Sequence, residues 1–117
     1  MKYIYTIPAI PPSTNEFIGK DNRWEYQTIK KQWAFLVRAF CKPVPQKPID
    51  LVIVKIKYYF PNHIRRDPDN YSGKMINDGL VRAGIIIDDS FDHISLLTSG
   101  GYDKDNPRTE IIIEVIA

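Results

Sequence analysis

Apolar and polar residues alternate in four stretches of the chain, and this alternation predicts four β-strands. The stretches are residues 2–7, 49–60, 94–99 and 109–116. Residues 49–60 are apolar on both faces in their first half, a pattern typical of a central strand. The apolar run at residues 85–87 is short, and it adds a fifth strand if it pairs with the sheet.

Helical spacing of apolar residues predicts two helices, at residues 23–40 and 68–82. The residues that share one face are Trp33, Leu36, Val37 and Phe40 in the first helix, and Ile76, Leu80 and Ala83 in the second. Pro68 suits the first turn of a helix because proline fixes φ and has no N–H to leave unpaired. We therefore expect Asp67 to cap the N-terminus of the second helix and Gly84 to follow its C-terminus.

The order strand, helix, strand, helix, strand, strand indicates an α+β fold. We expect a single domain over residues 1–117, with one mixed sheet of four or five strands and two main helices. Gly100-Gly101 and residues 103–107 are expected to join the last two strands as a hairpin loop. Prolines mark two further loops, at residues 8–14 and 42–48.

The charge and the cysteine content of the chain limit the partners and the cellular compartment that we expect for it. A net charge of +2 means that any nucleic-acid surface is a local patch and not a general basic coat. The lone Cys41 excludes an internal disulfide, and we expect this residue to be buried. No apolar run has the length of a membrane span, and the N-terminus lacks the form of a secretion signal. We expect a cytoplasmic protein that does not contact membranes.

Acidic residues concentrate in residues 65–89, which hold five of the fourteen in the chain. Asp67 and Asp69 flank a proline at a predicted helix start, and Asp88 and Asp89 end the short apolar run. If the helix packs back along that run, the two pairs of acids meet at one point. Carboxylates without nearby cysteine suit a hard cation, Mg²⁺ or Mn²⁺, and such an ion serves phosphoryl transfer or phosphodiester hydrolysis.

Ordinary structural roles also account for these acids one at a time. Asp67 is explained by helix capping and Asp69 by the helix dipole. Asp88-Asp89 suits a turn, and Asp78 can pair with Lys74 as neighbours on one helix face. An EF-hand calcium loop is excluded, because the position that needs an oxygen ligand is a tyrosine and the position that needs glycine is a serine.

The order of these motifs resembles the RusA family of Holliday junction resolvases, small endonucleases of bacterial prophages and phages. The matching residues are Arg66, Asp67, Asp69, Asn70, Lys74, Asp78-Gly79-Leu80, Ala83-Gly84 and Asp88-Asp89. The stretch Pro11-Pro12-Ser13-Thr14-Asn15 is similar to the family's N-terminal P-P-S-x-N signature. The resemblance extends along nearly the whole chain.

The resemblance implies catalytic roles for four residues. Asp67, Asp69 and Asp89 would bind the metal ion, and Lys74 would be the catalytic lysine. The residues alone leave Asp88 and Asp89 open as alternatives, because neighbours on a strand point to opposite faces. Lys74 comes one residue later after D-x-D-N than in the family pattern, and the glycine before it would permit a local bulge that absorbs the difference.

Basic residues around the acids are candidates for DNA contact. Arg65 and Arg66 adjoin the acidic motif, where they can hold phosphates or pair with the aspartates. By resemblance, Asn15 and Lys20 lie near the active site and touch DNA. The implied substrate is branched DNA, a four-way junction cut by paired symmetric nicks, and the implied assembly is a homodimer with two-fold symmetry. A nuclease for other branched or duplex DNA and a non-catalytic DNA-binding module are the alternatives.

Overall fold

A computed structural model of the chain describes residues 1–17 and 23–117. Four strands and two helices follow one another in the predicted order. They are β1 (Lys2–Ile7), α1 (Arg23–Phe40), β2 (Val52–Phe60), α2 (Lys74–Arg82), β3 (Ile94–Tyr102) and β4 (Arg108–Val115), with short 3-10 helices at Thr14–Phe17 and Pro68–Asn70. The predicted α+β class, with one mixed sheet and two main helices, is confirmed.

The four strands form one sheet in the order β1-β4-β2-β3. β4 is antiparallel to both of its neighbours, and β2 is parallel to β3 across the chain segment that contains α2. The buried positions of β2 are Val52, Val54, Ile56 and Tyr58. The interior position predicted for this strand is confirmed, since it has a hydrogen-bonded neighbour on each side.

The predicted hairpin between the last two strands is wrong, because β2 lies between β3 and β4. Gly100 and Gly101 belong to β3, where they face Tyr58 and Tyr59 of β2. The connection from β3 to β4 passes the end of β2, where the N–H of Asp103 donates to a carbonyl of that strand at 2.8 Å. Turn residues indicate where a chain reverses, but they do not say which strand the chain pairs with next.

Residues 85–87 do not form a fifth strand, and the second strand begins at Val52 rather than at residue 49. Ile49 and Ile86 instead form a single parallel bridge outside the named strands. The N–H of Ile49 donates to the carbonyl of Ile85 at 2.9 Å. This bridge ties the segment that precedes the second acid pair to the approach of β2.

Both helices pack on one face of the sheet, and the core lies between them and the strands. Its helical members include Trp33, Val37, Ile76 and Leu80, and its strand members include Ile7, Val54, Ile56 and Ile113. Cys41 is buried, as predicted, and burial raises the pKa of its thiol to about 12. Ile4 and Leu97, on the opposite face, are largely exposed. Neither described helix combines the length and the hydropathy that a bilayer-spanning segment needs.

The predicted helix over residues 68–82 is divided in two. Pro68–Asn70 forms a 3-10 turn, and α2 begins only at Lys74. Between them, Gly73 has a φ of +83°, a left-handed conformation that glycine adopts without steric cost. The bulge predicted at this glycine therefore takes the form of a complete break in the helix.

The two predicted helix caps have different outcomes. Asp67 does occupy the capping position, with the extended backbone usual for it (φ −101°, ψ 139°), but it precedes the 3-10 turn rather than α2, and the predicted hydrogen bond from its carboxylate is absent. At the other end, Gly84 has a φ of +77°. The N–H groups of Gly84 and Ile85 donate to the carbonyls of Val81 and Leu80 at 3.1 and 3.0 Å. This pattern is a Schellman motif, and it confirms Gly84 as the residue that follows the helix.

Candidate active site

Two segments that are far apart in the sequence meet beside the start of α2. The hydroxyl of Thr14, in the proline-rich N-terminal segment, donates to Oδ1 of Asn70 at 3.1 Å. This contact brings the P-P-S-T-N and D-P-D-N motifs together. A cleft of about 230 Å³ lies next to it, and we call it the α2 cleft. Its walls include Thr14, Tyr58, Asn70, Ser72, Gly73 and Lys74.

The N-terminal segment carries two of the predicted DNA contacts. Asn15 is exposed, and its backbone N–H donates to Oγ of Ser13 at 3.2 Å. It follows Thr14 directly and therefore lies close to the α2 cleft. Lys20 lies outside the described residues.

The two arginines before the acidic motif have different surroundings. The Arg65 side chain is 89% exposed, and its guanidinium lies 3.2 Å from the carboxylate of Asp67. Arg66 donates to the backbone and side-chain oxygens of Asn62 at 3.2 and 2.9 Å, and it stacks on the ring of Phe60 at 4.3 Å. Arg66 therefore stabilises the loop after β2. The exposed pair between Arg65 and Asp67 is weak enough to open toward a phosphate.

A cluster of charges joins the two helices next to Lys74. Oδ1 of Asp78 lies 3.4 Å from Nζ of Lys74, and Oδ2 lies 3.4 Å from Nζ of Lys30 on α1. The Asp78 side chain is only 18% exposed, and its Oδ2 accepts no hydrogen bond from the described residues. The negative charge of Asp78 is the main cause that raises the pKa of Lys74. Helix spacing alone would pair Lys74 with Asp78. Asp78 also contacts Lys30, so the pair is part of a contact between the two helices.

Asp88 and Asp89 interact with different neighbours. Burial, and then the negative charge of Asp78, raise the pKa of Asp89, while the positive charge of Lys74 acts in the opposite direction. A hydrogen bond with Ser90 is the main cause that lowers the pKa of the exposed Asp88. Asp89 therefore belongs to the charge cluster at α2, whereas Asp88 interacts with the loop that follows it.

The described residues do not form a preassembled metal centre. No three acidic, histidine or cysteine side chains among residues 1–17 and 23–117 are placed to hold an ion together. Asp67 is engaged by Arg65, and Asp69 is exposed on its 3-10 turn. Carboxylate oxygens suit Mg²⁺, which usually takes one or two protein carboxylates and completes its shell with water and substrate phosphate. The donor type fits the ion, but the three predicted ligands are not gathered into one group.

Comparison with known proteins assigns no family to this geometry. No protein-family model matches the chain. No curated protein matches it significantly. The resemblance to the RusA family therefore rests on the motifs alone.

Two residues of the site were not found from the sequence. Lys30 follows the pattern of a solvated helix face, but it reaches Asp78 on the other helix. The only signal for it is its position one turn before the buried Trp33. Tyr58 fits a buried strand position, yet its hydroxyl has no partner among the described residues, and the residue lines the α2 cleft. A polar atom on an otherwise apolar strand face is the signal there.

Proposed function

We propose that the chain is a Mg²⁺-dependent, structure-selective endonuclease of the RusA type, which resolves four-way DNA junctions by paired, symmetric hydrolysis of phosphodiesters. The contact between Thr14 and Asn70 carries this proposal, because it joins two motifs of the resemblance that lie 56 positions apart. The contact lies beside a cleft that Lys74 also lines.

Each charged residue near the start of α2 has a role in the proposed reaction. Asp67, Asp69 and Asp89 would supply carboxylates for Mg²⁺, and the ion would activate water and neutralise charge on the phosphate. Lys74 carries a positive charge, and the nearby carboxylate of Asp78 favours the protonated form of this lysine. That charge would stabilise the negative charge that develops on the phosphate or on the leaving oxygen.

The shape of the DNA, rather than its base sequence, is the proposed basis of recognition. Arg65 is largely exposed and can exchange the carboxylate of Asp67 for a DNA phosphate. Asn15 and Lys20 belong to the same proposed surface. Contacts to phosphate fix the position of a protein on DNA, but they carry no direct sequence information. A junction-selective enzyme needs this kind of contact.

Paired nicks require two active sites related by a two-fold axis, so we propose a homodimer in the cytoplasm. β3 is an edge strand, and its sequence contains no charged residue. Edge strands usually carry charges or prolines that prevent pairing with another chain. Leu97 on this strand is 56% exposed. We assign the edge of β3 to the contact with the second copy.

Two other functions fit particular observations. A non-catalytic DNA-binding module is favoured by the lack of a three-ligand group in the described parts of the chain. Such a module would hold DNA without Mg²⁺ and leave it intact. A nuclease of the same chemistry that acts on flaps, forks or plain duplex would use the same residues, and only its substrate range would differ.

Cleavage of a synthetic four-way junction and of a linear duplex, each with Mg²⁺ or with EDTA, separates these functions. The variants are Asp69→Asn and, as a matched control, Asp105→Asn. Asp105 occupies the same position in a second D-x-D-N stretch, within a turn whose N–H groups donate to the carboxylate of Asp103. We expect paired nicks in the junction alone, lost with EDTA and in Asp69→Asn, and retained in Asp105→Asn.

Each other outcome selects a different function. Equal cutting of both substrates would keep the metal-dependent nuclease and rule out junction selectivity. Tight binding of the junction without cutting, under Mg²⁺ or Mn²⁺, would favour the DNA-binding module. Unchanged cleavage by Asp69→Asn would remove that carboxylate from the catalytic group.

A further inference from the structure

The start of α2 has backbone donors that nothing in the described chain satisfies. The first hydrogen bond of the helix runs from the N–H of Asn77 to the carbonyl of Gly73 at 2.8 Å. The preceding N–H groups, those of Lys74, Met75 and Ile76, lack a side-chain cap, because the capping position is occupied by Gly73. Exposed N–H groups and the helix dipole together make such a terminus attractive to an anion.

Replacement of Gly73 by an amino acid whose side chain could cap the helix is unfavourable. The left-handed φ of +83° disfavours any residue with a side chain. A Cβ at Gly73 would also stand 2.6 Å from Cδ1 of Ile56, closer than carbon atoms pack. The fold therefore keeps this helix start open.

Tyr58 supplies a second, independent donor at the same place. Its side chain is 2% exposed, and its hydroxyl has no partner among the described residues. The hydroxyl would lie 3.7 Å from a Cβ on Gly73, next to the open helix start, and Tyr58 borders the α2 cleft. Burial, and then the neighbouring Tyr71, raise the pKa of this hydroxyl, so it stays protonated and can donate. A buried hydroxyl without a partner is costly, so a hydrogen-bond acceptor that reached it would be bound favourably.

Two residues of the remaining wall favour a negatively charged ligand, while most of that wall consists of proline, tyrosine and methionine. Lys74 and Ser72 add a positive charge and a hydroxyl. No aspartate or glutamate lines the cleft in the part of the chain that is described. Backbone N–H groups, a lysine and hydroxyls are the donors that proteins commonly direct at phosphate oxygens.

We propose that the α2 cleft binds a phosphodiester of the DNA backbone, held by the N–H groups at the start of α2, by Lys74 and by the hydroxyls of Tyr58 and Ser72. This assignment of the ligand to DNA rests on the proposed nuclease function. Asn70, on the wall of the cleft, directly follows Asp69. A phosphate bound in the cleft therefore positions the strand beside the acidic residues.

The test is a titration of the protein at low salt, monitored through its backbone amide signals in two-dimensional NMR. The probes are inorganic phosphate and a short oligothymidylate without terminal phosphates, whose only phosphates are backbone diesters. We expect the oligonucleotide to shift the amides of Lys74 and Met75 saturably. Loss of one hydrogen bond to a charged group should weaken its binding about tenfold in Tyr58→Phe.

Tyr3→Phe is the matched control, because it removes a tyrosine hydroxyl from β1, and its affinity should equal that of the parent. Lys74→Ala, at an exposed side chain, tests the same cleft if Tyr58→Phe does not fold, and it should also weaken binding. The inference is overturned if neither probe moves these amides, or if the folded cleft variants bind like the parent. Shifts with inorganic phosphate alone would overturn the assignment to DNA.

The inference and the proposed function can fail separately. Saturable oligonucleotide binding in the cleft, without junction cleavage by the parent, would support the phosphate site and exclude the junction resolvase. Junction cleavage by the parent, without any shift of the amide signals at the start of α2, would support the nuclease and exclude the phosphate site.

Discussion

Replacement of Gly73 by alanine should destabilise the protein for two reasons that the structure separates. A left-handed backbone costs a residue with a side chain roughly 1–2 kcal/mol. The new Cβ would also stand 2.6 Å from Cδ1 of Ile56, and such overpacking costs a further 1–3 kcal/mol or so. We expect a total loss of about 2–5 kcal/mol, a large part of the 5–15 kcal/mol or so that is typical of a domain.

Gly84→Ala is the matched control for this prediction. Gly84 is also left-handed, with a φ of +77°, but a Cβ there would meet no atom within 4 Å. Gly84→Ala should therefore lower the free energy of unfolding only by the cost of the left-handed backbone, about 1–2 kcal/mol. Urea denaturation followed by circular dichroism measures both variants, and equal slopes against denaturant make the free energies of unfolding comparable.

A double substitution isolates the packing contribution. Ile56→Val removes the atom that the new Cβ would meet, at a cost of about 1 kcal/mol on its own. Gly73→Ala combined with Ile56→Val should then be more stable than the sum of the two losses by about 1 kcal/mol or more. Equal losses for Gly73→Ala and Gly84→Ala, together with simple additivity in the double variant, would refute the close approach of Gly73 to β2.

Three further predictions concern charge and assembly. Asp78→Asn should lower the pKa of Lys74, measured by NMR of the ammonium group, because Asp78 is the main cause that raises that pKa. Hydrogen bonds to Asp50 raise the pKa of His93, so its contribution to stability should be present below the ordinary histidine pKa and disappear as the pH rises through the raised value. Leu97→Lys should convert the proposed dimer to a monomer in sedimentation experiments.

Each of these has an outcome that contradicts it. An unchanged pKa of Lys74 in Asp78→Asn would mean that the contact seen at 3.4 Å is not maintained in solution. For His93, the hydrogen bond to the backbone carbonyl of Asp50 is the largest cause, so Asp50→Ala should leave the pKa of His93 above its ordinary value. A complete return to the ordinary value in that variant would disprove this order of causes. A dimer that persists in Leu97→Lys would move the interface away from β3.

The elements that could be predicted from the sequence are those that depend on local pattern. β1 and α1 begin and end where periodicity places them, at Lys2–Ile7 and Arg23–Phe40, because a run of one period is followed by prolines or by polar residues. The break at Gly73 could not be predicted in the same way. Its left-handed backbone and its contact with Ile56 depend on a strand that is distant in the sequence.

The same distinction between local pattern and distant contacts applies to the pairing of strands and to the candidate active site. The local pattern identified β3 and β4 as strands, but it could not say that β2 separates them, because pairing is decided by contacts across the whole sheet. The motifs identified Lys74 and the aspartates as candidates. The contact of Lys30 with Asp78 connects two helices, and no spacing within one helix predicts it.

The place of β4 in the sheet has a consequence for synthesis of the chain. β4 is made after the other three described strands, yet it lies in the middle of the sheet and is the only link between β1 and β2 among them. While the chain leaves the ribosome, at roughly 5–20 residues per second, β1 and one side of β2 have to wait without a partner. A chain that terminates before residue 108 would keep both edges unpaired. Such fragments should aggregate or be degraded rather than retain partial activity.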